Sequence, residues 1–293
     1  MTQPRQSPSI APSAAEIPEL CRAFNEQGFV VLRGVLDARE LTVLQDQTAQ
    51  LIRDARRGGP DEEDYFFTEG GALHRIQYIF PKASALLTLL AHPRLYAVAA
   101  GLLGGELFCA GEALVFKATG NGVEVPVHRD FAEPDRLFPA DHLCFNIDVY
   151  LDQSTVENGC LEVVPGSHRE AGGHAGFATP GLVPVPMAAG DVIFHHIALL
   201  HGSRHSRHPS MRRTLYYEFH GREQVRRDGL RPGEMVPPGW IENRMRILDH
   251  SRSLRRLTPW GAEEIPIPFQ LPGDVDRTRP LDLRPRLGWN KFF

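Results

Sequence analysis

The chain has 293 residues, 42% of them hydrophobic, which is enough for one large domain with a sizeable buried core. It contains 32 Lys and Arg against 36 Asp and Glu, a formal net charge of −4, and this near-balance argues against a protein that binds nucleic acid through its phosphates. No run approaches the roughly 18 apolar residues of a membrane span, and the four cysteines are widely spaced. We therefore expect a soluble cytoplasmic protein with neither nucleic-acid nor membrane partners.

The first part of the sequence predicts helices around one short strand. Residues 1–15 are rich in Pro, Ser and Ala, a composition typical of a disordered tail. A helix is expected over Ile17–Gln27, followed by a compact apolar strand, Phe29–Leu36. Asp37 then has the position of a helix N-cap, and apolar residues recur at helical spacing as far as Ala55.

A polar loop (60–72) and two short helical segments (near 82–90 and 93–103) are expected next. Together with the preceding elements they form a predicted helical layer over residues 16–105. Loops of this kind usually set the specificity of a pocket, so the loop is a candidate cover for one.

From about Gly111 the sequence changes to β patterning. Short β-rich runs are separated by Gly, Pro, Asn and Asp, and this regular spacing indicates a β-sandwich or jelly roll rather than alternating β and α units. We expect a mainly β protein in which a β-roll core (111–220) packs on the helical layer and is followed by a C-terminal extension (221–293). The parts make one predicted domain of residues 16–293.

A candidate metal site begins with the segment V-P-V-H-R-D, which places His128 and Asp130 two residues apart. Side chains at i and i+2 of a strand point to the same face, so both can reach one ion. The best third ligand is His201, at the end of an apolar strand before Gly-Ser, while His168 is a rival on spacing alone. Two histidines and one carboxylate are the donor set of non-haem Fe(II) sites, although the H-x-D pair alone is a weak signal among 13 histidines.

The remaining histidines are expected to have other roles. His195 and His196 are adjacent in a predicted strand, so their side chains point to opposite faces and one of them belongs to the core. His205 and His208 lie in a polar turn and are expected to be solvated. Arg129, between the two candidate ligands, points away from the metal and is expected at the surface or behind the ligands.

Four blocks of the β half occur in the order found in one known family. They are VHRD (127–130), ENGCLEVVPGSH (157–168), GDVIFHHIALLHGS (190–203) and the later Arg212. In these blocks, over residues 111–220, the sequence resembles the phytanoyl-CoA dioxygenase family of Fe(II)- and 2-oxoglutarate-dependent oxygenases, which includes the ectoine hydroxylases. The resemblance implies a double-stranded β-helix (a cupin-like jelly roll), with Fe(II) as cofactor, 2-oxoglutarate as cosubstrate and O2 as co-reactant.

The resemblance also implies roles for individual residues. His128, Asp130 and His201 become the iron ligands. Arg212 becomes the partner of the distal carboxylate of 2-oxoglutarate, which the planar guanidinium suits, and its neighbour Arg213 is turned to the other face by strand alternation. Family members often carry a lysine near the cosubstrate at the position of Lys117, although a surface lysine is the commoner case. The PGSH block makes His168 a structural residue.

The predicted strand from Leu143 to Leu151 alternates between apolar and mixed faces. If its apolar face packs on the neighbouring layer, the other face lines a pocket, and Asn146 and Asp148 contact the cosubstrate or the substrate. A solvated outer face gives the same pattern. Tyr150, on the same face, and Phe131, next to the H-x-D pair, are candidate residues of the substrate pocket.

The predicted function is oxidation, first of all hydroxylation, of an unactivated C–H bond of a small-molecule substrate, and the composition is compatible with bacterial specialised metabolism. Related halogenases have a small residue where this chain has Asp130, so halogenation is not expected. Desaturation, epoxidation, ring closure and epimerisation stay open. From other classes, a non-catalytic metal- or ligand-binding β-roll and a metal hydrolase or isomerase without cosubstrate are the alternatives.

Overall fold

The computed structural model describes residues 16–57, 62–117, 124–130, 139, 141–170, 176–206 and 211–287. The predicted tail (1–15), His208 and the candidate pocket residue Phe131 lie outside the described residues. In the described part of the chain no single helix has the length and hydrophobicity to cross a membrane, and one bent pair, Ser84–Ala91 with Pro93–Leu103, meets both criteria together.

Six α-helices lie in the described residues, four before or among the strands and two after them. They are α1 (Glu16–Gln27), α2 (Ala38–Ala55), α3 (Ser84–Thr88), α4 (Pro93–Leu103), α5 (Arg222–Asp228) and α6 (Trp240–Arg255). The start of α2 follows the predicted capping: the side chain of Asp37 accepts a hydrogen bond from the backbone N–H of Glu40 (2.7 Å). Its apolar face, with Leu44 and Leu51, is buried in the core.

Eleven strands lie between α1 and α5 in the described ranges. They are β1 (Phe29–Leu32), β2 (Tyr65–Phe67), β3 (Leu73–Gln77), β4 (Leu107–Lys117), β5 (Val125–His128), β6 (Cys144–Tyr150), β7 (Leu161–Val163), β8 (Val183–Val185), β9 (Val192–His196), β10 (His201–Ser203) and β11 (Arg212–Gly221). All pairs are antiparallel. They form a seven-stranded sheet, β1-β9-β6-β11-β4-β3-β2, and a four-stranded sheet, β5-β10-β7-β8. Two antiparallel sheets in this arrangement make the jelly roll that the sequence predicts.

The larger sheet separates two apolar regions. Its outer face packs against the helices, and there Phe145, Ile147 and Val149 of β6 belong to the main core. Its inner face and the smaller sheet enclose a second cluster, with Tyr150, Leu161 and Leu199 among its members. The mixed face of β6 therefore points into the roll, as one of the two interpretations of its alternation predicted.

Two predicted elements differ from the structure. The apolar strand expected over 29–36 ends at Leu32, because the chain turns at Gly34, whose φ is +55° and whose N–H donates to Asp191 (2.8 Å). The polar loop 60–72 contains β2, an edge strand of three residues whose Tyr65 pairs with Ile76 of β3. Three residues are too few for the alternation that identifies a strand in sequence.

Candidate active site

Two strands of the smaller sheet bring the three candidate ligands together. His128 ends β5 and His201 begins β10, and the two residues are directly opposite each other in the antiparallel pair. Asp130 follows β5, and its backbone N–H donates to the carbonyl oxygen of Ile197 (2.9 Å). The Nε2 atoms of both histidines lie 3.4 Å from the same carboxylate oxygen, Oδ1 of Asp130. One ion can therefore contact all three side chains.

Backbone carbonyls fix the orientation of both imidazoles. Nδ1 of His128 lies 2.8 Å from the carbonyl oxygen of Pro126, and Nδ1 of His201 lies 2.9 Å from that of Leu199. A carbonyl oxygen only accepts hydrogen bonds, so each Nδ1 carries a proton, and in the neutral imidazole each Nε2 has the lone pair that can bind an ion. This is the arrangement that histidine ligands of metals usually have in proteins.

The carboxylate is oriented by Asn146 of β6, whose amide donates to Oδ2 of Asp130 (2.9 Å) and leaves Oδ1 facing the histidines. Burial acts to raise the pKa of Asp130, but the interactions with His201, His128 and His195 outweigh it and hold this pKa well below its usual value. Burial lowers the pKa of His201 to about 3. A charged carboxylate and a neutral imidazole are the protonation states that bind metals.

The residues present fit a non-haem Fe(II) ion. Two imidazole nitrogens and one carboxylate oxygen are the ligands that such sites use, and they leave the other positions of the ion open. The side chain of His128 is 33% exposed, whereas those of Asp130 and His201 are 4% and 8% exposed. Among the three candidate ligands, His128 is therefore the one that solvent and small molecules can reach.

His195 is a member of this site that the sequence left undecided. It lies on β9 with Nε2 3.3 Å from Oδ1 of Asp148 and Nδ1 4.0 Å from Oδ2 of Asp130. Its neighbour His196 points to the other face, where its ring packs 6.2 Å from that of Phe24, so it is the core residue of the pair. Alternation predicts opposite faces, but only the sheet arrangement shows which face is inward.

A second group of polar side chains lies on β4 and β11, where Lys117 and Arg212 are paired in register. Both are buried. Arg212 donates to the hydroxyl of Ser154 (2.9 Å) and to the carbonyl of Gly159, and Lys117 donates to the carbonyl of Ser203 (3.0 Å). The alternative that Lys117 lies at the surface is thus wrong, because its side chain is inside the protein. Burial and, second, the charge of Arg212 lower the pKa of Lys117 to about 7.

The next residue, Arg213, points away from this interior, as alternation predicted. It forms a bidentate ion pair with Asp152 (2.8 Å to each carboxylate oxygen) and also donates to the backbone carbonyl of Gln45 in α2 (2.8 Å). Arg213 therefore fastens the sheet to a helix, and Arg212 is the arginine that can meet a ligand inside the roll.

Asp148 and Tyr150 complete the inward face of β6. Neither carboxylate oxygen of Asp148 has a hydrogen-bond partner among the described residues, although His195 lies beside one of them. The ring of Tyr150 lies 5.9 Å from the guanidinium carbon of Arg212. Both side chains are fully enclosed, so they can contact only what enters the roll.

The other candidates lie outside the cluster. Nε2 of His168 is 3.2 Å from the carbonyl of Asn25 in α1, which agrees with a structural role. The side chain of His205 is 68% exposed, as expected of a solvated residue. Arg129 points away from the ligands but is buried rather than on the surface, and it donates to the carbonyls of Ser167 (2.8 Å) and Glu170 (3.1 Å).

Comparison with known proteins identifies the family. The model of the phytanoyl-CoA dioxygenase (PhyH) family matches residues 24–214, so the chain belongs to this family. It is 38% identical to the L-proline trans-4-hydroxylase of Streptomyces griseoviridis over 165 residues, which are 54% of this chain and 57% of that protein.

Solved structures agree with this assignment. The crystal structure of EctD from Sphingopyxis alaskensis with 2-oxoglutarate and 5-hydroxyectoine has a TM-score of 0.64 and 25% identity, over 81% of this chain and 89% of that one. The structure of AviO1 from Streptomyces viridochromogenes has a TM-score of 0.59 and 30% identity, over 70% of this chain and 95% of that one. The double-stranded β-helix fold is confirmed. This chain is an Fe(II)- and 2-oxoglutarate-dependent dioxygenase, an oxidoreductase that uses O2.

Proposed function

We propose that this enzyme hydroxylates an unactivated C–H bond of a small-molecule substrate, with His128, Asp130 and His201 as its iron ligands and Arg212 as the partner of the distal carboxylate of 2-oxoglutarate. The observation that carries the proposal is the convergence of two Nε2 atoms on one carboxylate oxygen, with both Nδ1 atoms held by backbone carbonyls. A solvated or purely structural histidine pair has no need of this arrangement.

The interior residues supply binding and orientation. Bound Fe(II) supplies the redox chemistry that couples decarboxylation of 2-oxoglutarate by O2 to oxidation of the substrate. The guanidinium of Arg212 can hold a carboxylate with two parallel hydrogen bonds, and Lys117 adds a second cation beside it. The apolar lining from Leu161, Val163 and Leu199 excludes water from the charges inside.

Asn146 and Asp148 have different parts in this proposal. Asn146 is a positioning residue, because it bonds the ligand Asp130 and not the ion itself. Asp148 and Tyr150 face the same interior and are assigned to cosubstrate or substrate contact. Hydroxylation is proposed over desaturation, epoxidation, ring closure and epimerisation because relatives named a proline hydroxylase and ectoine dioxygenases share the fold and family. Bacterial specialised metabolism and a cytoplasmic location stay predictions.

An anaerobic titration tests the ligand set directly. Metal-free protein receives Fe(II) and then 2-oxoglutarate, and the weak visible charge-transfer absorption of a 2-oxo acid chelated to ferrous iron is followed. The wild-type protein is expected to develop this absorption, and His201→Ala to lack it. Succinate release with candidate substrates then identifies the substrate.

The role of Arg212 is tested in the same titration. Arg212→Ala is expected to need much more 2-oxoglutarate, because losing a charged hydrogen-bond partner costs about 1.5–3 kcal/mol, or roughly 10- to 100-fold in affinity. Arg204→Ala, at a half-exposed residue of the same region, is the matched control. Equal affinities for 2-oxoglutarate in Arg212→Ala and Arg204→Ala would mean that another cation binds the distal carboxylate. If the wild-type protein binds iron but not 2-oxoglutarate, the alternative of a protein without cosubstrate is favoured.

A further inference from the structure

A second cluster of metal-binding side chains lies in the same roll, apart from the iron ligands. His142 and Cys144 are two residues apart at the start of β6, the spacing that also joins His128 to Asp130. His220 of β11 is directly opposite Cys144 in the antiparallel pair. One ligand atom from each of the three side chains lies within 4.8 Å of the others, and all three residues are buried.

Each imidazole of this cluster is held by a carboxylate on its far side. Nδ1 of His142 lies 2.8 Å from Oδ2 of Asp228, the last residue of α5, and Nε2 of His220 lies 2.7 Å from Oε1 of Glu218. The carboxylates fix the tautomers, so Nε2 of His142 and Nδ1 of His220 are the nitrogens that can bind an ion. Nδ1 of His220 is buried and has no hydrogen-bond partner among the described residues. Carboxylate–histidine pairs of this kind surround protein-bound zinc.

We propose that His142, Cys144 and His220 form a second metal site, distinct from the iron site, that binds divalent zinc. A sulfur and two imidazoles are borderline-soft ligands that suit zinc, whereas the carboxylate-containing set of the first site suits ferrous iron. Three protein ligands leave the fourth position of a tetrahedral zinc ion for one further donor.

The protonation state of His142 suits such a site, whereas that of Cys144 acts against binding until an ion displaces the thiol proton. Burial lowers the pKa of His142 to about 4, so its imidazole is neutral. Burial raises the pKa of the Cys144 thiol well above its usual value, so the thiol keeps its proton until a cation arrives. Binding of the ion forms the metal–sulfur bond and releases one thiol proton to solvent, with no change of oxidation state.

The second site connects β6, β11 and α5, and it neighbours the iron site along β6. Its ligands come from the start of β6 and the end of β11, and Asp228 connects it to α5. Along the inward face of β6, Cys144 is followed by Asn146, which bonds the iron ligand Asp130. A bound ion would therefore stiffen the strand that orients the iron ligand.

Cobalt(II) distinguishes the two sites spectroscopically, because only the second contains a thiolate. The metal-free full-length protein is titrated with Co(II), and thiolate-to-cobalt absorption in the near ultraviolet is followed together with bound metal per chain. The wild-type protein is expected to bind two equivalents and to show this absorption. His201→Ala should keep the absorption and bind one equivalent, and Cys144→Ala should lose the absorption and bind one.

Two further variants distinguish the loss of a metal ligand from a folding defect. Cys144→Ser replaces only the sulfur by oxygen, so it is close to cysteine in size, and it is expected to lose the thiolate absorption as well. Asp228→Asn, which weakens the support of His142 and the ion pair with Arg227, is expected to lower zinc affinity about 10- to 100-fold. A wild-type protein without thiolate absorption overturns the proposal, and so does absorption that persists in Cys144→Ser. The iron-site titration of His201→Ala is independent of either outcome.

Discussion

At the scale of single residues, the site depends on side chains that touch no ion themselves. Asn146 holds Oδ2 of Asp130 and so decides which carboxylate oxygen faces the histidines. Asn146→Ala is expected to weaken Fe(II) binding about 10- to 100-fold, as loss of an orienting partner commonly does. Isothermal titration with Fe(II) under anaerobic conditions measures this. Asn243→Ala, which removes a side-chain amide of α6 that bonds the backbone of Asp282, is the control, and equal affinities in both variants would contradict the role.

Lys117 predicts a pH dependence of cosubstrate binding. Its pKa of about 7 means that the ammonium form predominates below pH 7 and the neutral amine above it. A dianion is bound better by the ammonium, so binding above pH 7 takes up a proton, and affinity for 2-oxoglutarate should fall by at most about tenfold per pH unit.

The dependence is measured as 2-oxoglutarate dissociation constants on either side of pH 7. Lys117→Met is expected to bind more weakly at low pH and to lose the proton-linked slope. A wild-type affinity that is constant across this range would mean that Lys117 does not face the cosubstrate.

At the scale of elements, a tight turn holds the cosubstrate end of the roll together. Gly159 has a φ of +71°, and its carbonyl accepts from both Arg212 and Ser203. A Cβ there would collide with the backbone carbonyl of Arg204 and lie 3.0 Å from Nζ of Lys117. Only glycine therefore fits at position 159, because the backbone conformation disfavours other residues and a Cβ has no room.

Gly159→Ala is therefore expected to lower stability by at least about 1–3 kcal/mol, the usual cost of a strained backbone residue, and to raise the 2-oxoglutarate requirement together with it. Denaturant unfolding and the anaerobic titration measure the two effects. Gly105→Ala, where a Cβ meets no atom within 4 Å, is the matched control and should change neither.

The sequence was most informative where local pattern and family blocks agreed. The alternation of β6 and the capping by Asp37 are local features, and the structure has both. The roles of His195 and of the cluster around Cys144 were not predictable in this way. Both depend on which strands become neighbours: His220 meets Cys144 only because β11 pairs with β6. Cross-strand geometry of that kind leaves no spacing signal along the chain.

At the scale of the whole molecule, the C-terminal extension packs into the main core, on the outer face of the larger sheet. The family match ends at residue 214, yet Met245 and Leu248 of α6 are buried in the same apolar core as the strands. Arg244 of α6 pairs with Glu112 of β4 (2.7 Å). This packing supports the prediction that residues 16–293 form one domain.

The pair between Arg244 and Glu112 predicts a pH-dependent stability. Burial raises the pKa of Glu112 to about 7 from its usual 4.5, although Arg244 acts to lower it. Because the folded carboxyl binds its proton more tightly than the unfolded one, stability from this group falls as pH rises from about 4.5 towards 7. Removing Arg244 raises the pKa of Glu112 further. The loss of stability caused by removing Arg244 must therefore grow with pH.

Arg244→Met is accordingly expected to cost about 3–5 kcal/mol in slightly alkaline solution, where Glu112 must either be buried as an unpaired charge or take up a proton, and clearly less near pH 5, where the carboxyl is neutral. Urea unfolding at the two pH values measures the difference. Arg256→Met, at the exposed C-cap residue of the same helix, should change stability by only about 0.5 kcal/mol at either pH. Adding Glu112→Gln to Arg244→Met should remove the pH dependence, since no titrating group remains at the pair. An equal loss at both pH values would mean that packing of the arginine side chain, and not its charge, fastens α6 to the roll.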